Sequence, residues 1–78
     1  MHYKDFALLV KLKRINKGLL QQDMAKLIPT QLIRYHRIEN GTLEPTFIEL
    51  QEICRILGID LTELLELKKP IHGVKYYD

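Results

Sequence analysis

A stretch near the middle of the chain, residues 21–41, constrains the fold more than any other part of the sequence. It reads as two short helices joined by a tight turn at Pro29 and closed by Asn40 and Gly41. Proline disfavours helical geometry in the residue before it, and an Asn-Gly pair ends a helix. The stretch therefore predicts a helix-turn-helix unit whose first helix stops before Pro29.

Three residues in this stretch decide how its two helices meet. Ala25 is small enough to let the second helix cross close by, and Tyr35 and Ile38 are large residues that anchor the second helix inward. The outer side of the second helix is then free. Such a helix fits the major groove of DNA, about 12 Å wide, with its N-terminal residues toward the base edges.

Length and composition exclude several other classes of protein. A chain of 78 residues makes one domain, and a domain this small buries only about 60% of the surface that its unfolded chain exposes, so a deep catalytic cleft is not expected. The content of 46% hydrophobic and 28% charged residues is typical of a globular protein. The sequence has no membrane-spanning run and no signal-peptide pattern, and we expect a cytoplasmic protein.

Residues with catalytic or metal-binding chemistry are sparse. Cys54 is the only cysteine, so the chain can form no internal disulfide and no cysteine-based metal site. His2, His36 and His72 are too scattered in sequence to look like metal ligands. The chain contains no serine and no glycine-rich phosphate loop. We therefore expect no enzyme activity, no metal and no cofactor.

Charge is divided unevenly along the chain. Residues 1–41 hold eight Lys and Arg residues against three acidic residues, a net charge of +5, whereas residues 42–78 hold four against seven, a net charge of −3. A positive region suits a polyanion, because each phosphate that it neutralises releases condensed counterions. The acidic half is expected to face solvent or protein.

Periodicity and stop signals predict an all-α bundle of five helices. The helices are expected at residues 4–17, 21–28, 31–38, 47–57 and 61–67, with Thr30 as the N-cap of the third and a capping box of Asp60 and Glu63 opening the fifth. Residues 1–67 form the domain. Residues 68–78 have no helical period and are expected to be a tail that docks, if at all, through Val74, Tyr76 and Tyr77 on the body or on a second subunit.

At this point the chain resembles a known family, the lambda-repressor-like and Cro-like helix-turn-helix regulators of phages and bacteria. The matching residues are Arg14, Gly18, Leu19, Gln21, Ala25, the sequence RIENG at 37–41, Pro45, Leu50 and the sequence LGIDLTELL at 57–65. The likeness covers about residues 4–67. It implies a five-helix bundle that binds operator double-stranded DNA as a homodimer and represses or activates transcription, and we expect a repressor.

The resemblance also assigns roles to individual residues. Base contacts fall at Gln31, Leu32, Ile33 and Arg37. Contacts to backbone phosphates fall at Gln21, Gln22, Thr30, Arg34, Asn40 and Gly41. Arg14 and Glu39 match a pair that forms a structural salt bridge between the first helix and the end of the recognition helix.

The sequence departs from the family pattern at four positions. Leu32 and Ile33 are aliphatic where relatives usually carry polar residues, although aliphatic groups can read thymine methyls. Pro29 occupies a turn position that is normally glycine and cannot adopt a left-handed conformation, so the turn must be rebuilt, with Leu32 then able to fold inward beside Tyr35. Leu20 stands where a capping side chain is usual and cannot accept an amide hydrogen bond.

Two functions remain open on sequence grounds. The first is a dimeric DNA-binding regulator; the second is a protein-binding module on the same fold, such as an antirepressor or an antitoxin-like partner, which the exposed aliphatic pair Leu32 and Ile33 would suit. For the first, the expected dimer interface is the last helix, at Leu61, Leu64 and Leu67. A leucine-rich last helix is equally what a simple core needs.

Overall fold

In the computed structural model, residues 2–68 are described, with the exception of the side chains of residues 61, 67 and 68. Five helices follow one another in this part of the chain: α1 (Tyr3–Asn16), α2 (Gln21–Leu27), α3 (Leu32–Glu39), α4 (Phe47–Leu57) and α5 (Leu61–Lys68). No strand occurs among these residues. The all-α five-helix prediction is confirmed.

The predicted tail lies almost entirely outside the described residues. Residue 68, placed in the tail by the sequence, is the last residue of α5. The expected docking of Val74, Tyr76 and Tyr77 falls on residues that the structure does not describe.

Helix α1 ends as its glycine predicts. Gly18 has φ +73°, and the N–H of Leu19 donates to the carbonyl of Arg14 at 3.2 Å. The N–H of Gly18 donates to the carbonyl of Ile15 at 2.9 Å. This pair of hydrogen bonds satisfies carbonyls at the helix end that would otherwise lack a donor, and it needs a residue without a Cβ at the left-handed position.

The turn between α2 and α3 is rebuilt around Pro29 without any left-handed residue. Ile28 is extended, with φ −119° and ψ 154°, and the N–H of Thr30 donates to the carbonyl of Ile28 at 2.8 Å. A hydrogen bond of this span closes a three-residue turn, which proline at its centre accommodates with its ordinary φ. Pro29 therefore changes the turn and leaves the two-helix unit intact.

The prediction that Thr30 caps α3 is wrong. The N-cap residue is Gln31, whose side chain makes no capping hydrogen bond, and α3 begins at Leu32. The Thr30 hydroxyl is directed elsewhere, donating to Glu49 at 3.0 Å. The Pro29 turn makes α3 begin one residue later than expected. Thr30 therefore lies before the N-cap position, and its hydroxyl does not cap the first amides of α3.

Capping at the other helix starts follows local sequence. Leu20 makes no side-chain cap for α2, as expected, but its N–H donates to the Asp23 carboxylate at 2.8 Å. At α5 the predicted capping box forms, with the N–H of Glu63 donating to Asp60 at 2.9 Å and the N–H of Asp60 donating to Glu63 at 3.3 Å.

One hydrophobic core joins the helices. Helix α3 packs against α1 and α2, and both α4 and α5 pack against α1. The buried cluster consists of Phe6, Val10, Met24, Ile28, Tyr35, Ile38, Ile53, Leu57 and Ile59. Full burial of each such side chain stabilises the fold by about 1.5 to 3 kcal/mol, an upper estimate that the entropy of ordering offsets. Because α3 uses Tyr35 and Ile38 as anchors, its opposite side stays on the surface.

None of the helices in the described part of the chain combines the length and apolar character that crossing a membrane requires.

Candidate nucleic-acid interface

The outer face of α3 carries the residues that the sequence predicts as base contacts. The outer face of α3 consists of the N-cap residue Gln31 together with Leu32, Ile33 and Arg37, all of which are exposed. Leu32 and Ile33 are 48% and 60% exposed, so neither side chain folds into the core. The inward position considered for Leu32 beside Tyr35 is not adopted. The outer face therefore combines an aliphatic pair with one amide and one guanidinium.

An ion pair ties the end of α3 to α1. Arg14 Nε donates to Glu39 Oε2 at 2.8 Å and Arg14 Nη2 donates to Glu39 Oε1 at 2.7 Å. Arg14 Nη1 also donates to the carbonyl of Leu19 at 2.7 Å. Burial raises the pKa of Glu39, but hydrogen bonds from Arg14 and Gln21, together with the nearby Tyr35 hydroxyl and the charge of Arg14, outweigh it, so the pKa lies below its ordinary value. The sequence-predicted pair is thus brought together in bidentate geometry.

A chain of side-chain hydrogen bonds continues from this ion pair across the surface. Gln21 Nε2 donates to Glu39 Oε1 at 3.1 Å, and Gln21 Oε1 lies 3.0 Å from His36 Nδ1. On the other side of the imidazole, Asn40 Nδ2 lies 3.0 Å from His36 Nε2. The neutral tautomer with a proton on Nδ1 satisfies every member of this chain. Gln21 and Asn40, two expected phosphate contacts, are held at fixed positions by it.

Gly41 does not present a free amide to a phosphate. Its N–H donates to the carbonyl of Ile38 at 3.1 Å, and the N–H of Thr42 donates to the carbonyl of Arg37 at 3.0 Å. Gly41 itself is buried against α1, where a Cβ on it would lie 3.4 Å from Cγ of Lys4. These amides end α3 in the same way that Gly18 and Leu19 end α1.

Two further expected phosphate contacts, Arg34 and Thr30, meet on the buried carboxylate of Glu49. Arg34 Nε donates to Glu49 Oε2 at 2.6 Å and Arg34 Nη2 donates to Glu49 Oε1 at 2.8 Å. The Thr30 hydroxyl and the N–H of Thr46 donate to the same carboxylate. Hydrogen bonds from Arg34, followed by those from Thr46 and Thr30, outweigh burial and lower the pKa of Glu49 to about 2.

Sequence reasoning missed Glu49 altogether. One local signal was present, because Thr46 followed three residues later by Glu49 has the spacing of a capping box, and that box forms. The box alone does not predict that the same carboxylate also receives Arg34. That contact joins residues from different helices and depends on how α3 and α4 pack.

Three of the polar side chains expected to contact DNA have no partner within the described part of the chain. Among the residues expected to contact DNA, Gln22, Gln31 and Arg37 have exposed side chains that make no hydrogen bond or ion pair with the described residues. Arg37 lies one helical turn from Ile33 on α3, so the two side chains are neighbours. The outer face of α3 thus offers a free guanidinium beside an exposed aliphatic group.

The residues expected at a dimer interface fall on α5. Leu64 is half-buried and packs against the core, as the alternative role of a leucine-rich helix requires. The side chains of Leu61 and Leu67 lie outside the described residues. Glu63, one residue before Leu64, pairs with Lys13 of α1 at 2.7 Å, which fixes α5 on the body.

No group of three or more His, Cys, Asp or Glu side chains in the described part of the chain is arranged to hold a metal ion. Cys54 is a partly buried free thiol, and burial raises its pKa.

Comparison with known proteins agrees with this geometry. A family model described as helix-turn-helix matches residues 10–64, which is more than half of the chain. The chain is 37% identical over 57 residues to a Bacillus subtilis (strain 168) protein named as an uncharacterised HTH-type transcriptional regulator, YqaF. That alignment covers 73% of this chain and 75% of the relative. No solved structure matches the chain.

Proposed function

The chain belongs to the helix-turn-helix family of lambda-repressor-like and Cro-like regulators, and we propose that it represses transcription by binding an inverted-repeat operator as a homodimer through α3. Such a protein acts on double-stranded DNA and needs no metal or cofactor. We place it in the cytoplasm of a bacterium or of a phage-infected cell.

The observation that carries the proposal is the two-sidedness of α3. Tyr35 and Ile38 are buried in the core, while Ile33 and Arg37 are exposed on the opposite side. A helix held in this way can enter the major groove without disturbing the fold. The first 41 residues, which contain α3, also carry the net positive charge that favours a polyanion.

The outer face of α3 supplies the base contacts of this proposal. The free guanidinium of Arg37 suits a guanine edge, to which arginine donates two hydrogen bonds. Ile33 and Leu32 suit the 5-methyl groups of thymines, and the Gln31 amide suits an adenine edge. A half-site with thymines beside a guanine is the sequence that this set of side chains would favour.

The phosphate contacts of the proposal differ from those that the family resemblance assigns. Gln22 has a free side chain among the described residues, and the amide nitrogens of Gln21 and Asn40 each use one of two hydrogens within the protein. These three residues retain donors for phosphates. Thr30 donates its one hydroxyl hydrogen to Glu49, and Arg34 donates from Nε and Nη2 to the same carboxylate, which also balances its charge.

Selection of duplexes from a random pool tests the proposed function. The enriched sequences should contain two symmetric half-sites about one helical turn apart from centre to centre, and binding should weaken steeply with added salt. A pool that yields no symmetric motif at low ionic strength would contradict the proposal.

A protein-binding role is the second candidate, and the exposure of Leu32 and Ile33 is the observation that favours it. An exposed aliphatic pair fits a hydrophobic groove on another protein as well as it fits thymine methyls. Affinity purification with and without nuclease separates the two functions. A stoichiometric protein complex that survives nuclease and is displaced by Ile33→Asp supports this second role.

A further inference from the structure

The contacts of Glu49 give Arg34 a role that differs from the one its outward position in the sequence suggests. We propose that Glu49, Arg34 and Thr30 form a clamp that sets the orientation of α3 for DNA reading, so that Arg34 is a positioning residue and not a phosphate ligand. This inference rests on the proposed DNA-binding function.

The clamp leaves no acceptor site of the carboxylate free. Oε2 accepts from Arg34 Nε at 2.6 Å and from the Thr30 hydroxyl at 3.0 Å. Oε1 accepts from Arg34 Nη2 at 2.8 Å and from the N–H of Thr46 at 2.8 Å. A carboxylate offers about four such sites. The four donors come from α3, from the Pro29 turn and from the start of α4, so one side chain joins three segments.

Burial makes this arrangement costly to open. The Glu49 side chain is 6% exposed, and it needs its partners because a buried carboxylate without them loses solvation that nothing replaces. If Arg34 left Glu49 to bind a phosphate, the Glu49 carboxylate would stay charged but would lose two of its four hydrogen-bond donors. It would also lie near a second anion. The exchange is therefore unfavourable, and Arg34 stays with Glu49 when DNA is bound.

The start of α3 has a particular need for such a clamp. Its N-cap, Gln31, makes no side-chain capping bond, and the turn before it contains no left-handed residue that would fix the chain direction. The end of α3 is held by Glu39 and Arg14. Arg34 and Glu39 lie five residues apart, about 7.5 Å along the helix axis. Two ion pairs to different helices thus fix both the tilt and the rotation of α3.

The clamp also determines how much net charge Arg34 contributes to the protein surface. Arg34 is 36% exposed, and its Nη1 makes no hydrogen bond within the described part of the chain. Its positive charge is nevertheless balanced by Glu49, so the pair is neutral as a unit. A neutral unit releases no counterion on binding, and Arg34 should not contribute to the salt dependence of affinity.

The test compares DNA affinity in clamp variants with affinity in a matched pair. The clamp variants are Arg34→Met, Glu49→Gln, Thr30→Val and the double variant that combines Arg34→Met with Glu49→Gln. The matched controls are Arg55→Met and Glu52→Gln, which break a surface Arg–Glu pair on α4. Dissociation constants are measured by fluorescence anisotropy for the selected operator and for a random duplex, at several salt concentrations, with the folded fraction of each variant determined by circular dichroism.

We expect the clamp variants to lose operator affinity selectively. Arg34→Met and Glu49→Gln should each lower the ratio of operator to random affinity by about tenfold or more, the size of losing one base-pair contact. The double variant, in which both charges are removed, should also keep the wild-type salt slope. Glu49→Gln is the sharpest case, since removing a negative charge near DNA should tighten binding if charge alone mattered. Thr30→Val should have a smaller effect of the same kind. The double variant should lose about as much as one single variant, because the two residues act as a unit.

Two results would overturn the clamp while leaving the proposed function intact. If Arg34→Met and the double variant weaken operator and random duplex alike, and the double variant lowers the salt slope by about one, Arg34 is a phosphate ligand. If the ratio of operator to random affinity is unchanged in every folded variant, the contacts only stabilise the fold. A wild-type protein that binds no duplex would instead overturn both proposals.

Discussion

At Glu49, four hydrogen bonds meet on one buried carboxylate, and this changes the roles of two residues that face outward in the sequence pattern. Arg34 and Thr30 carry the chemistry of phosphate contacts, yet both donate to Glu49. The reason is that a buried carboxylate must gather donors from wherever they lie, because it has lost its contact with water. A residue's chemistry alone therefore does not decide its partner.

Glu49 should make the stability of the fold depend on pH. Its pKa falls from an ordinary 4.5 to about 2 on folding, so the stabilisation is fully present above 4.5 and is lost as the pH falls toward 2. Glu49→Gln should lower the free energy of unfolding at pH 7 by about 1 to 3 kcal/mol and flatten its pH dependence in this window. Urea denaturation at pH 7, 4 and 3 measures both effects. Glu44→Gln is the control, since this exposed side chain has no hydrogen-bond partner in the described part of the chain. The prediction would be contradicted if the stability of Glu49→Gln fell with pH as steeply as that of the wild-type protein.

Tyr35 allows a second test of a single buried group. Its ring is fully buried, and its hydroxyl has no hydrogen-bond partner among the described residues. Burial, and then the nearby Glu39, raise the pKa of this hydroxyl. The hydroxyl makes no hydrogen bond of ordinary geometry, and only its interaction with the nearby Glu39 carboxylate offsets its lost hydration, so Tyr35→Phe should change the free energy of unfolding by less than about 1 kcal/mol in either direction. Tyr35→Ala, which removes the ring, should lower it by about 3 to 5 kcal/mol in the same thermal or urea denaturation. A clear loss of stability in Tyr35→Phe would show that the hydroxyl has a partner after all.

At the scale of the helices, the ends of α1 and α4 and the start of α5 could be predicted from sequence, because they are decided locally. Gly18 ends α1, Gly58 ends α4 with φ +68°, and the box of Asp60 and Glu63 opens α5, each through neighbours a few residues away. The start of α3 could not be predicted in this way. It depends on the three-residue turn at Pro29 and on Glu49, which lies 15 residues beyond Arg34 in the chain. Contacts of that separation follow from packing, which a single sequence does not show.

The two glycines that end α1 and α3 should differ in what they tolerate. Both have positive φ, but Gly18 has open space around it, whereas Gly41 faces Lys4 and Ala7 of α1. Alanine at either position should lower the free energy of unfolding by about 1 to 2 kcal/mol, the cost of the left-handed conformation. Asparagine tolerates that conformation better and should cost less than alanine at position 18. At position 41 its longer side chain must fit against α1, so no such relief is expected. Thermal unfolding of the four variants measures this, and equal relief at both positions would contradict the prediction.

The outer face of α3 should separate residues that read sequence from residues that only hold DNA. Arg37→Ala should cost about 1 to 3 kcal/mol of binding free energy at one base pair and relax selection there, whereas Gln22→Ala and Asn40→Ala should weaken all duplexes alike. Measuring each variant against a panel of single-base operator substitutions resolves the two patterns. Uniform weakening by Arg37→Ala would assign Arg37 to the backbone instead of a base.

For the molecule as a whole, size limits what one copy can achieve on DNA. A single module of this kind buries about 600 to 1,000 Å² on a duplex, which is at the low end for specific binding. The charge of the chain is also concentrated, with a net +5 in residues 1–41 and −3 in the remainder. A second copy related by a two-fold axis would double the positive surface on one side of the duplex. The symmetry of the protein would then be matched by symmetry in the operator.

Half-site spacing therefore tests the assembly more directly than affinity does. In a two-fold dimer the two α3 helices enter successive major grooves about 34 to 36 Å apart, on one side of the duplex. Inserting five base pairs between the half-sites turns one of them to the opposite side, and binding should fall to that of an isolated half-site. Electrophoretic mobility shift across a series of spacings measures this, with the stoichiometry of each complex determined by light scattering. If a single copy of the protein binds with equal affinity at every spacing, the protein reads its site as a monomer, because the affinity then does not depend on how the two half-sites are placed.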